Sequence, residues 1–209
     1  PWTVQNKQGK PFQVFTPFWK SCCQLGEPEP PLPKPTQAIP HPEHIQTTPL
    51  DHLHLLPKIH WDTGLKAAWK PGSPSAQKHL QSILKTMVGL YSEQRDYPGI
   101  KGTSELSPYL HFGEITSRQI WHAIRQIPAL EKESEAYLRQ LGWREFAYHL
   151  LYHFPDTPKE ALRPNFRAFP WTTNHQALKA WQKGLTGYPI VDAGMRQLWH
   201  TGWMHNRVR

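Results

Sequence analysis

Apolar residues recur at helical spacing through most of this chain. Leu80, Ile83, Leu84, Met87 and Val88 follow one another at intervals of three, one, three and one and predict a single helix face. Thr116 and Gln119 have the form of a capping box ahead of Ile120, Trp121, Ile124 and Ile127. A longer segment, about Glu133 to Phe154, carries Tyr137, Leu138, Leu141, Phe146, Leu150 and Leu151 and predicts a long helix. Asn174 is placed to cap a helix running to Trp181, with Gly184 to end it. Pro189 opens another, with Gly202 at its C-terminal end. There is no strand–helix alternation and no internal repeat, so residues 58–209 read as an all-helical domain.

The pattern differs upstream. Phe12-Gln-Val-Phe15 alternates as a strand does, and Thr16 with Pro17 predicts an N-cap and first helical position. Prolines at 28, 30, 31, 33, 35, 40, 42 and 49 then remove amide donors and fix the backbone, so residues 27–57 read as an extended linker. Residues 1–26 read as the tail of a preceding unit.

Composition narrows the function. A chain of 209 residues can bury a real core. No apolar run approaches the roughly 18 residues a membrane span needs. A net charge of +8 favours a polyanionic partner, nucleic acid first, and ten tryptophans equip the chain to stack on bases or a planar cofactor. Cys22 and Cys23 are adjacent, too close in sequence to bridge easily, and no metal-ligand spacing surrounds them. That usage points to a reducing, cytoplasmic compartment. His41, His44, His52, His54 and His60 are spaced irregularly with no cysteine or carboxylate cluster, so no metal site is expected. The chain opens without a methionine and stops inside the aromatic and cationic run from Trp199 to Arg209, and it reads as a fragment.

Three constellations carry chemistry. Tyr91 and Arg95 precede Gly102-Thr-Ser-Glu-Leu-Ser107, where hydroxyls and backbone amides ahead of a helix can cradle phosphate or merely cap the helix. Trp143-Arg144 sets an aromatic plate beside a guanidinium, as a pocket mouth or as a surface pair. The third runs from Thr186 through Trp203-Met-His-Asn-Arg-Val-Arg209; there Val191, Met195 and Leu198 read as helix core.

GTSELSPYL, LGWREF, TGYPIVDAGMRQLW and TGWMHNRVR occur here in the order found in the photolyase/cryptochrome family, which the chain resembles from about residue 58 onward. VFTPFWKSC is similar, less specifically, to the junction leaving that family's α/β antenna domain. The resemblance is nearest to bacterial class I cyclobutane pyrimidine dimer photolyases. It implies a mainly α fold: the N-terminal half of the helical FAD-binding domain, preceded by the antenna domain's tail and a Pro-rich linker. It implies light-driven repair of pyrimidine dimers in UV-damaged DNA by electron transfer from reduced FAD. An antenna chromophore of folate or deazaflavin type is expected in the full-length protein, which would act as a monomer. A cryptochrome-type blue-light receptor and a six-four photolyase are the alternatives within the family; a DNA-binding helical module without flavin is the alternative outside it.

Residue roles are carried by the same resemblance. Tyr91, Thr103, Ser104, Glu105, Leu106, Ser107, Tyr137, Arg144, Trp203 and Arg209 match FAD-contacting positions. Arg95, Gln140, Trp143, Arg144, Asn206 and Arg207 match positions facing DNA. Trp143 and Asn206 match the groups that hold the flipped-out lesion, and Trp171 the outermost tryptophan of an electron relay. Gln140 stands where dimer-specific relatives usually have glutamate and six-four relatives commonly glutamine, whereas Asn206 matches the dimer branch. The acidic groups near the flavin and the two inner relay tryptophans have no counterpart in this sequence. These 209 residues are therefore expected to bind FAD weakly or not at all, and to repair nothing alone.

Overall fold

A computed structural model describes residues 2–37, 40, 42, 44–130 and 132–209. His41, one of the linker histidines considered above, and Pro1, the opening residue, lie outside the described residues. Among the described residues the regular structure is entirely helical: α1 Phe15–Gln24, α2 Thr63–Ala68, α3 Ser73–Thr86, α4 Tyr91–Gln94, α5 Ser107–His111, α6 Ser117–Arg125, α7 Glu135–His153, α8 His175–Gln182 and α9 Pro189–Thr201, with four short 3-10 turns between them.

The local signals placed the later helices well. Thr116 accepts from the Gln119 amide and the Gln119 side chain returns to the Thr116 backbone, so the capping box forms and α6 starts there. Asn174 caps α8 by accepting from the Ala177 amide at 2.9 Å. Gly202 closes α9 at φ 69°, a conformation that suits a residue without Cβ. The upstream reading needs correction. Residues 12–15 form no strand: Phe15 already begins α1, Val14 is its N-cap, and Thr16 lies inside the helix with no capping bond. Phe12, Phe15 and Phe18 are all buried, and the spacing of three from 12 to 15 to 18 puts them on the side facing α7. Phe12 lies before α1 and reaches the same cluster from the segment that leads into the helix.

Two apolar clusters flank α7. On one side Tyr137, Leu138 and Leu141 join Leu80, Ile83 and Leu84 of α3, Ile120 and Ile124 of α6, and Leu106 and Tyr109. On the other, Phe146 packs with Phe12, Phe15 and Phe18. Gly142 lets the two helices approach, because a Cβ there would run into the Trp19 ring of α1. His149, fully buried, accepts from the Phe12 amide through Nε2 at 3.0 Å and ties the segment before α1 to the same helix. Of the long helix's predicted apolar residues, Leu151 is exposed, since it lies off both packed sides. The start of the proline-rich stretch is docked too: Glu27 accepts from the Trp121 indole, and Glu29 pairs with Arg118 at 3.2 Å. Among the described residues no helix is long and apolar enough to cross a membrane.

At the far end, α2 and α9 lie against each other, with the Trp69 indole donating to the Thr201 carbonyl. Asp192 on α9 accepts from the Thr186 hydroxyl at 2.6 Å, the Thr186 amide at 2.8 Å and the Gly187 amide at 3.0 Å. These bonds fix the loop before α9, and they hold the Asp192 carboxyl below its ordinary range, the Thr186 hydroxyl contributing most.

Candidate functional site

Helix geometry decides which α7 side chains share a surface. Tyr137, Gln140, Leu141 and Arg144 fall at i, i+3, i+4 and i+7, one stripe, and all four line a single cleft. The opposite wall is the loop before α5: Thr103, Ser104, Glu105, Leu106 and Ser107, with Leu110 one turn further on. Tyr91 from α4 and the segment after α9, through Trp203, Met204, Asn206 and Arg209, close the remaining sides. The cleft measures about 260 Å³.

Each wall is fixed by bonds behind it. Gly102 sits so close to the Gln94 carbonyl that a side chain would not fit, which holds the loop against the end of α4. His79 of α3 meets the Ser104 carbonyl at 2.7 Å. Glu105 adopts φ 50°, the left-handed region rarely used by residues with a side chain, and the Leu106 amide reaches back to the Ser104 hydroxyl at 3.4 Å. Tyr137 is buried, meets Tyr91 edge-on at 5.1 Å and bonds Ser104 through its hydroxyl; burial pushes its phenol far above the ordinary range, so it remains protonated. Burial raises the Tyr91 phenol as well, although the neighbouring Arg95 opposes this. Arg144 donates to the Leu110 carbonyl at 3.1 Å and to the Tyr148 hydroxyl at 2.9 Å, so its guanidinium is held at the cleft by α5 and by its own helix.

All ten residues expected to contact a cofactor line this cleft, together with Gln140 and Asn206. Four others expected near it do not. Trp143 lies off the α7 stripe: one face of its indole stacks on Phe15 at 3.7 Å, and the residue remains 46% exposed. Arg95 and Arg207 meet instead on Asp96, outside the cleft lining, with Arg207 donating through Nε at 2.8 Å. Trp171 is 82% exposed and touches Phe169. Sequence reasoning missed Leu110, Leu141, Met204 and Asp96. Leu141 completes the helical stripe and could have been found from it; Asp96 carries no signal beyond its place beside Arg95.

Three aliphatic hydroxyls, two phenols, two guanidiniums, two carboxamides and an indole converge here, a donor set suited to an anionic, ring-bearing ligand such as a dinucleotide. The volume is below the roughly 300–1,000 Å³ usual for small-molecule sites, so these walls accommodate part of such a ligand. Among the described residues no group of His, Cys, Asp and Glu is gathered as a metal would need.

Comparison with known proteins gives a consistent picture. Residues 137–209 match the family model for the FAD binding domain of DNA photolyase. The chain is 39% identical over 212 residues to the deoxyribodipyrimidine photo-lyase of Agrobacterium fabrum, covering 100% of this chain and 44% of that protein. It is 37% identical over 223 residues to cryptochrome-2 of Arabidopsis thaliana, covering 100% of this chain and 36% of the relative. The crystal structure of a bacterial class III photolyase from Agrobacterium tumefaciens superposes with a TM-score of 0.90 at 40% identity, over 99% of this chain and 43% of that one. The chain thus spans less than half the length of these relatives.

Proposed function

Because this chain belongs to the DNA photolyase/cryptochrome family, we propose that it supplies one part of the FAD cleft of a light-driven enzyme that repairs cyclobutane pyrimidine dimers in DNA. The observation that carries the reading is the convergence of the Thr103–Ser107 loop, the Tyr137–Arg144 stripe and the Trp203–Arg209 segment on one cleft. FAD, when bound and reduced, supplies light-driven one-electron chemistry; the protein's task is to place it. The hydroxyls of Thr103, Ser104 and Ser107 and the Arg144 and Arg209 guanidiniums suit the phosphates, and Tyr91, Tyr137 and Trp203 exclude water beside the rings. Asn206, an exposed residue of the cleft lining, offers an amide to an extruded pyrimidine dimer. The second face of Trp143 is a stacking surface for the same lesion. Residues 1–26 are proposed as the end of an α/β antenna domain, 27–57 as its linker and 58–209 as part of the flavin- and DNA-binding domain. An antenna chromophore, a monomeric state and a cytoplasmic location belong to the same proposal. The superposed crystal structure is that of a class III photolyase, whereas the sequence resemblance is nearest to class I.

Identity to a plant cryptochrome over the whole chain favours a second reading, a blue-light receptor that holds the same flavin. Two measurements separate the possibilities. The visible spectrum of the protein in its longest expressed form, after FAD and desalting, should retain a flavin band that Gly102→Val removes; a colourless, folded protein rejects the flavin cleft. On UV-irradiated and intact duplexes, Trp143→Ala should abolish the preference for damage while leaving affinity for intact DNA nearly unchanged. Equal losses on both would reject lesion stacking, and no preference in the unaltered protein would favour the receptor.

A further inference from the structure

Asp96 follows the end of α4, and two guanidiniums meet on its carboxylate. Arg207 reaches Oδ1 through Nε at 2.8 Å and Nη2 at 2.6 Å, and Arg95 approaches the same oxygen at 3.6 Å. Among the ion pairs of the described residues, this one joins the α4 end to the segment after α9. The three side chains are between 33% and 53% exposed, so their pairing is screened and adds little to stability. Its consequence is electrostatic and local. The carboxylate lies outside the cleft lining and pairs with both guanidiniums, whose donors could equally meet a phosphate oxygen, while Asn206 and Arg209, close to Arg207 in sequence, line the cleft itself.

We propose that Asp96 is a carboxylate gate: an internal anion that holds Arg95 and Arg207 together and must be displaced by a DNA phosphate before the duplex seats. The inference rests on the DNA-binding part of the function proposed above. In the free protein the carboxylate keeps both cations oriented and partly neutralised, which weakens attachment to any passing duplex. A phosphate that arrives in register exchanges for it, and like-charge repulsion then moves Asp96 aside. Asp96 is thus a positioning residue that acts through two arginines. It makes intact DNA a poorer ligand than the net charge of +8 alone would predict.

The test is fluorescence-anisotropy binding to an undamaged duplex across a salt series. Each phosphate contact steepens the log–log salt slope by about 0.9, equivalent to roughly eightfold in affinity per tenfold change in salt. Asp96→Asn should bind intact DNA several-fold more tightly than the unaltered protein and with a slope steeper by about one contact. Asp96→Ser should do the same, which guards against a fault peculiar to the amide. Asp96→Glu should restore the original slope, an outcome that a purely structural role would not select. Adding Arg207→Ala to Asp96→Asn should return the slope to its starting value. If the unaltered protein binds and Arg207→Ala weakens it, while both carboxylate-free variants bind no more tightly than the unaltered protein, the gate is overturned and the DNA reading stands. If the unaltered protein shows no salt-dependent binding, the DNA reading itself falls, and the gate with it.

Discussion

Tyr137 shows how one side chain serves both core and cleft. Its ring belongs to the main apolar cluster, its edge meets Tyr91, and its hydroxyl bonds Ser104 on the facing loop. Tyr137→Phe keeps the packing and removes one bond, so the loss should be about 1 kcal/mol, the usual net worth of a buried neutral hydrogen bond. Chemical denaturation should show an earlier midpoint with an unchanged slope. Hydrogen exchange should quicken at residues 103–107, and their unchanged protection would mean that the Gly102 contact and His79 hold the loop without help. The identities of the cleft residues were legible because hydroxyls, tyrosines and arginines announce hydrogen-bonding chemistry. The pairing of Arg207 with Asp96 was not, since two residues 111 positions apart leave no local trace.

Elements were legible where local chemistry specifies them. The capping box at Thr116, the Asn174 cap and the Gly202 terminus each depend on residues within four positions. The stretch around Phe12 misled because four residues are too few to establish a strand; Phe12 precedes α1, Phe15 begins it, and both are buried against α7. Trp143 is placed by helix geometry: its neighbour Arg144 lines the cleft, and one step along a helix turns the side chain by about 100°, which sets Trp143 beside Phe15. The loop before α9 supplies a pH dependence. The Asp192 carboxyl is held below the ordinary value of 3.8, mainly by the Thr186 hydroxyl, with the Thr186 and Gly187 amides and Arg196 adding to it against the opposing effect of burial. A lowered folded value means that the contribution is complete above pH 3.8 and is lost as pH falls further, because protonation removes the charged acceptor. Asp192→Asn should lower the melting temperature at pH 7, and by progressively less as the pH falls below 3.8. A difference independent of pH would show that shape, not charge, holds the loop.

At the scale of the whole molecule, α7 is the common wall of both apolar clusters, and this bears on where the structural unit begins. If residues 1–26 were a tail that merely trails from another domain, removing them would leave residues 58–209 as stable as before. The packing argues otherwise. Phe15 is 3% exposed and Phe18 fully buried, Gly142 exists to admit Trp19, and His149 depends on the Phe12 amide for the bond at its Nε2. Burying a phenylalanine is worth roughly 1.5–3 kcal/mol, so losing Phe12, Phe15 and Phe18 together removes several kcal/mol before the newly uncovered Phe146 and His149 are counted. A chain starting at residue 27 should therefore melt well below the full 209 residues and bind a hydrophobic dye. Because α7 also carries Tyr137, Gln140 and Arg144, the cleft should loosen with it, and Trp143, released from Phe15, should change its fluorescence. An unchanged melting curve would place the boundary after α1 and make the second cluster an ornament of the fold. A cooperative loss would make residues 1–26 part of the unit that builds the site.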